Sequence, residues 1–244
     1  MLRAMEKRAA IAVLVGLAFA RVAGAVDCRT ETFAGSRFTT CRVDAFRETL
    51  RLFYADPVMR YGTFSRLDVA LAKQGHKLVF AMNAGMFTPD YRPVGLLVIE
   101  GRAIGEVDRA MSWGNFYQQP NGVFVIDEAG PRVMATEEYR LLMPRFATQS
   151  GPMLLHRGQI PANSAMRSTS RHIRNGVCVP EPLQVEFVIS EDEVTFREFA
   201  EYFASGLKCT EALYFDGSVS SLYSVQLGRN DQRSKFGPMV GVIE

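Results

Sequence analysis

The sequence predicts an α+β fold: a single domain with a mixed β-sheet core and flanking helices. Short apolar or alternating runs recur at 38–46, 49–54, 77–82, 96–104, 123–135 and 185–189, set off by Gly, Pro, Asp or Glu. Only two stretches, 63–73 and 192–205, space their apolar residues as helices do. No Pro/Ser-rich linker, composition break or internal repeat divides the chain, and its 48% apolar content suffices for one large core.

In chain order, residues 1–25 read as a secretory signal peptide. Arg3, Lys7 and Arg8 precede an apolar run at 9–20, and Ala23-Gly24-Ala25 supplies a cleavage pattern. The run is shorter than the roughly 20 residues of a membrane span. The expected product is a periplasmic or secreted domain, residues 26–244, with no stable membrane insertion. The leader holds four basic residues and one acidic residue, so 24 basic and 25 acidic residues remain, a net charge of −1. That balance excludes the basic footprint of a nucleic-acid-binding protein.

All four cysteines follow the leader. An even count in an oxidising compartment implies disulfides, with three connectivities open. The favoured pairing is Cys28–Cys41, tying the N-terminus to the first strand, and Cys178–Cys209, joining two central strands. There is no Cys-x-x-Cys, and His76, His156 and His172 lack metal-ligand spacing. No metal or cofactor is expected.

Residues 38–46 and 49–54 read as paired strands. Residues 63–73 form a helix ending at Gly75, with Phe64, Leu67, Ala70 and Leu71 on one face, and 77–82 follow as a buried strand. Runs 96–99 and 102–104 make one hairpin, and 123–126 and 132–135 another. After the strand at 185–189, Ser190-x-x-Glu193 has the form of a capping box opening the second helix. Phe196, Phe199 and Phe203 stripe that helix and read as core packing.

Four polar, glycine-containing breaks interrupt this pattern. The strand 77–82 runs into Asn83-Ala84-Gly85, and the strand 212–215 runs into Asp216-Gly217-Ser218 with Ser220 and Ser221 behind. Between them lie Gln149-Ser150-Gly151-Pro152 and Arg174-Asn175-Gly176. Glycine beside a polar strand end permits close backbone approach to a ligand, and it equally marks an ordinary turn. Arg174, in a segment expected to be buried, needs an anionic partner. That partner is either Asp216, in a structural ion pair, or a ligand phosphate or carboxylate matched to the guanidinium fork. Ser150 lacks the Gly-x-Ser-x-Gly elbow of a serine nucleophile.

Taken in order, these stretches resemble the phosphodiester glycosidase family. Asn83-Ala84-Gly85-Met86-Phe87 matches its Asn-Gly-Gly-Phe-Phe-like strand end. Gln149-Ser150-Gly151-Pro152-Met153-Leu154, with Gly158 downstream, matches its Ser-Gly-x-Pro-x-Leu-type segment. Arg174-Asn175-Gly176-Val177-Cys178 stands for its Arg-Thr-Ala-Ile-Gly-like motif, and Asp216-Gly217-Ser218-Val219-Ser220-Ser221 for its Asp-Gly-Gly-Gly-Ser-Ser-like motif. The last two depart from the family pattern at Asn175–Cys178 and at Ser218 and Val219, so the substrate itself does not carry over.

The resemblance implies hydrolysis of a sugar joined through its anomeric carbon to a phosphodiester. Phosphate leaves readily, so one carboxylate can suffice where ordinary glycosides need two. Arg174 would stabilise the departing phosphate, and Asp216 would act as nucleophile or general base. Asn83, Gly85, Gln149, Ser150, Gly151, Asn175, Gly217, Ser218 and Ser220 would bind substrate. Two rivals remain: a two-carboxylate glycoside hydrolase using Asp90 or Glu186, and a non-catalytic periplasmic protein that binds a glycan or phosphorylated ligand.

Overall fold

A computed structural model describes residues 26–55, 59–140, 142–231 and 234–244. The leader assigned to residues 1–25 lies outside the described residues.

β1 (Asp27–Phe33) and β2 (Ser36–Asp44) form a hairpin in which Cys28 stands opposite Cys41, and a disulfide joins the two. β3 (Thr49–Phe53) does not pair with β2. The Asp44 carbonyl accepts from the amides of Arg47 and Glu48, and the Glu48 carboxylate accepts from the Asp44 amide, a tight turn that swings the chain off the first sheet. α1 (Phe64–Ala72) forms where the helix over 63–73 is expected, with Thr63 as its N-cap. β4 (Leu78–Asn83) follows, then the hairpin of β5 (Leu97–Ile99) with β6 (Arg102–Gly105) and that of β7 (Gly122–Asp127) with β8 (Gly130–Ala135), both as expected.

β9 (Phe146–Ser150) and β10 (Met153–Leu155) flank the Gly151-Pro152 break, and the short α2 (Ser164–Arg167) precedes β11 (Asn175–Glu181) and β12 (Gln184–Ser190). α3 (Phe196–Glu201) starts four residues later than predicted and continues as a π-turn, Tyr202–Gly206. The Ser190 hydroxyl is occupied by the Arg174 amide, and Val194 bridges His172 as extended chain. The capping box therefore forms at Thr195 and Glu198 instead. β13 (Ala212–Tyr214), β14 (Leu222–Ser224), β15 (Arg229–Asn230) and β16 (Met239–Ile243) complete the chain.

The strands build three sheets, ordered β1-β2-β12-β11-β13-β10, β15-β14-β4-β16-β3 and β6-β5-β9-β7-β8. Every pairing among the described residues is antiparallel, so the expected mixed sheet is corrected to a sheet-dominated, antiparallel domain with few helices. Parallel pairing requires long crossovers, and these neighbours are joined by hairpins or by returns from another sheet.

The three sheets enclose one core. Phe187 of β12 meets Phe80 of β4 at 5.2 Å and Phe124 of β7 at 5.9 Å, one aromatic from each sheet. α1 covers the outer face of the second sheet through Phe64, Leu67 and Leu71, while α2, α3 and the π-turn cover the first through Met166, Phe199 and Phe203. The Cys178–Cys209 disulfide is also present, although Cys209 lies on the loop before β13 rather than on a strand.

Candidate active site

β4, β11 and β13 bring their polar ends together where the first and second sheets meet. Asn83 Nδ2 donates to the Asp216 carbonyl at 2.7 Å, and Asn83 Oδ1 accepts from Asn175 Nδ2 at 3.1 Å and from the Ser221 amide at 2.9 Å. Asn175 Oδ1 accepts from the Ser220 hydroxyl at 2.9 Å. These amides are buried and their bonds shape the Asp216 loop. They form a polar clasp beneath the site rather than a surface open to ligand.

Above the clasp lies a cavity of about 410 Å³ lined by Arg174, Gly217, Ser218 and Ser220 from the predicted set. Asp216 is not itself among the lining residues; it precedes Gly217 and Ser218, which are, and serves as the N-cap of a 3₁₀ turn, Gly217–Val219. One carboxylate oxygen accepts from the Ser218 amide at 3.1 Å and its hydroxyl at 2.5 Å. Burial raises the Asp216 pKa above the ordinary carboxylate value, against the opposing pull of the Ser218 bonds.

Arg174 is 1% exposed. Its Nε donates to the Val194 carbonyl at 2.8 Å, one terminal nitrogen to Tyr214 Oη at 3.3 Å and the other to the Ser170 carbonyl at 3.0 Å. Its guanidinium lies over the Phe196 ring at 3.7 Å. No ion pair joins it to Asp216, whose carboxylate is held by Ser218. The acid that most influences it, Glu198, is itself paired with Arg171 at 2.9 Å. A buried cation thus faces the cavity with neutral partners only.

The remaining predicted residues stand apart from the lining. Gln149 is buried in the third sheet and spends its amide on the protein, accepting from the Leu96 and Asp108 amides and donating to Asp108 O and Thr136 Oγ1. It pins the segment 96–108 to β9. Ser150 is fully buried with an unpartnered hydroxyl. Gly85 lets the chain pass over Thr148 and Gln149, and Gly151 lets it pass under Asn115, which does line the cavity. Asp90 pairs with Arg92 on the surface and Glu186 with Arg42, so neither supplies a second carboxylate to this cavity.

Sequence reasoning missed Asn115, Ser170, His172, Glu193 and Tyr214 in the lining, and it took Phe196 for core alone. Period-two spacing puts Tyr214 on the Asp216 face, a signal obscured by the apolar run around it. Among the described residues no group of three or more His, Cys, Asp or Glu side chains is arranged to hold a metal ion.

Residues 76–242 match the phosphodiester glycosidase family, a span that takes in Asn83, Arg174 and Asp216. The chain belongs to that family. It is 31% identical over 183 residues to YigE, an uncharacterized protein of Escherichia coli strain K12, covering 75% of this chain and 72% of that one. The fold is similar to the zebrafish N-acetylglucosamine-1-phosphodiester alpha-N-acetylglucosaminidase catalytic domain, solved in a form auto-inhibited by its pro-peptide. That similarity has a TM-score of 0.63 and 12% identity and covers 89% of this chain and 81% of the other. A candidate exported protein of Burkholderia pseudomallei K96243 is similar at a TM-score of 0.56 and 12% identity, over 85% of this chain and 74% of that one.

Proposed function

We propose that this phosphodiester glycosidase family member is an exported hydrolase that cleaves the bond between a sugar's anomeric carbon and a phosphodiester. The observation that carries the reading is Arg174: a buried guanidinium lining a cavity, held in a fixed plane and without an anionic partner. A fixed fork of N–H donors suits a phosphate, whose oxygens gain charge as the glycosidic bond breaks. Asp216 supplies the other half. Ser218 holds one carboxylate oxygen, and the second attacks the anomeric carbon or takes a proton from the attacking water. The bonding pair leaves with the phosphate oxygen, and water completes hydrolysis.

Two disulfides and the leader pattern support export, and no helix among the described residues is long and apolar enough to cross a membrane. The test is sugar release from a panel of glycosyl phosphodiesters by the purified protein, beside Asp216→Asn. Turnover by the wild type and its loss in a folded variant support the reading. A wild type that binds these compounds and releases no sugar is a binding protein instead.

A further inference from the structure

Tyr214 ends β13, two residues before Asp216, and lines the cavity although only 2% of its surface is exposed. Its ring stands edge-on to Phe196 with centroids 4.6 Å apart, which leaves the hydroxyl little freedom to move. One donor addresses that oxygen. Arg174 donates to it at 3.3 Å, and the Gly217 backbone packs closely against the same atom.

A phenol carries a single O–H donor besides its acceptor capacity. With Arg174 donating to its oxygen, its own proton must turn to another group. Among the described residues no protein acceptor takes it, and Tyr214 is a lining residue of the cavity. Burial pushes the phenol pKa up to about 12, so it keeps its proton at neutral pH. Arg174 meanwhile spends three of its five N–H donors on Val194, Tyr214 and Ser170. One N–H on each terminal nitrogen remains.

We propose that Tyr214 donates its hydroxyl hydrogen bond to the oxyanion that Arg174 binds, forming with the two spare guanidinium N–H groups one cradle for a phosphate. The assignment rests on the phosphodiester reading for its role in turnover, and on the cavity geometry alone for its role in binding. The proton stays on Tyr214. The bond strengthens as the phosphate oxygen gains charge on leaving, so the phenol contributes to kcat beyond substrate capture.

The experiment titrates purified wild type and Tyr214→Phe with inorganic phosphate by calorimetry, with melting temperatures and glycosyl phosphodiester kinetics alongside. A folded variant should bind phosphate about tenfold more weakly and lose about 10²-fold in kcat/KM, mostly in kcat. Unchanged phosphate affinity in that variant overturns the proposal. Phosphate binding that depends on Tyr214 in a wild type without turnover upholds the cradle and removes the proposed glycosyl phosphodiester hydrolysis instead. To guard against a variant that does not fold, 3-fluorotyrosine placed at 214 reports directly. Its fluorine resonance should shift on phosphate addition, and a resonance that stays in place under saturating phosphate also overturns the assignment.

Discussion

Gly217 packs so closely on Tyr214 that a Cβ at position 217 would stand 1.7 Å from the phenolic oxygen. The ring cannot retreat, because Phe196 and Arg174 close on it from the other side. Glycine is required here for space alone. Gly217→Ala should therefore displace the hydroxyl or the Asp216 turn by a fraction of an ångström to an ångström. We expect a folded protein with kcat/KM down by about 10²-fold, read by steady-state kinetics beside circular dichroism.

Asp216→Asn separates catalysis from stability. The folded state raises the Asp216 pKa, so it binds the proton more tightly than the unfolded chain does. That contribution is whole below the unfolded value of about 3.9 and is lost as pH rises through the folded value. At pH 7 the charged, buried carboxylate is a net cost. Asp216→Asn should raise the melting temperature at pH 7, give no gain at pH 3 and reduce turnover by about 10³-fold.

Arg174→Lys should move stability the other way. An ammonium cannot reach Val194, Tyr214 and Ser170 together, nor lie flat on Phe196. The melting temperature should fall, and KM for a glycosyl phosphodiester should rise more than tenfold. A stabilising Arg174–Asp216 ion pair would make both substitutions lower the melting temperature, so the signs from thermal scans decide between the two arrangements.

Glu48 offers a test far from the cavity. Burial, with the nearby charges of Asp44 and Glu244, pushes its carboxyl up to about 7, while the Asp44 amide opposes. Its folded pKa exceeds the unfolded one, so its contribution is present in acid and lost as pH rises through about 7. Chemical denaturation between pH 5 and 8 should show wild-type stability declining with pH, and Glu48→Gln should flatten that slope. An unaltered slope in the variant would remove Glu48 as its source.

What was legible in the sequence was local. The two hairpins, α1 and the strands delivering Asn83 and Asp216 follow from periodicity and turn residues over a few positions. Sheet membership was not, because β3 finds β16 nearly two hundred residues away and nothing in 38–54 records that preference. The helix start was misread because Ser190 and Thr195 offer the same capping signal, and only the Arg174 amide decides which is free. At the site, Arg174 and Asp216 were readable as polar groups at strand ends beside glycine. Gln149 shares that signal for another reason, the need to anchor 96–108 across a bend. Side-chain type alone does not separate a group facing a cavity from one consumed inside the protein.

The polar clasp also sets when activity can appear during folding. Asn83 takes its partners from positions 175, 216 and 221, and contacts that distant in sequence form late because closing such loops costs entropy first. A chain emerging from the ribosome N-terminus first holds no working cavity until Ser221 is free to reach Asn83. In refolding from denaturant, β-structure seen by circular dichroism should therefore return before hydrolysis does, with the lag measuring how long the two sheets take to lock.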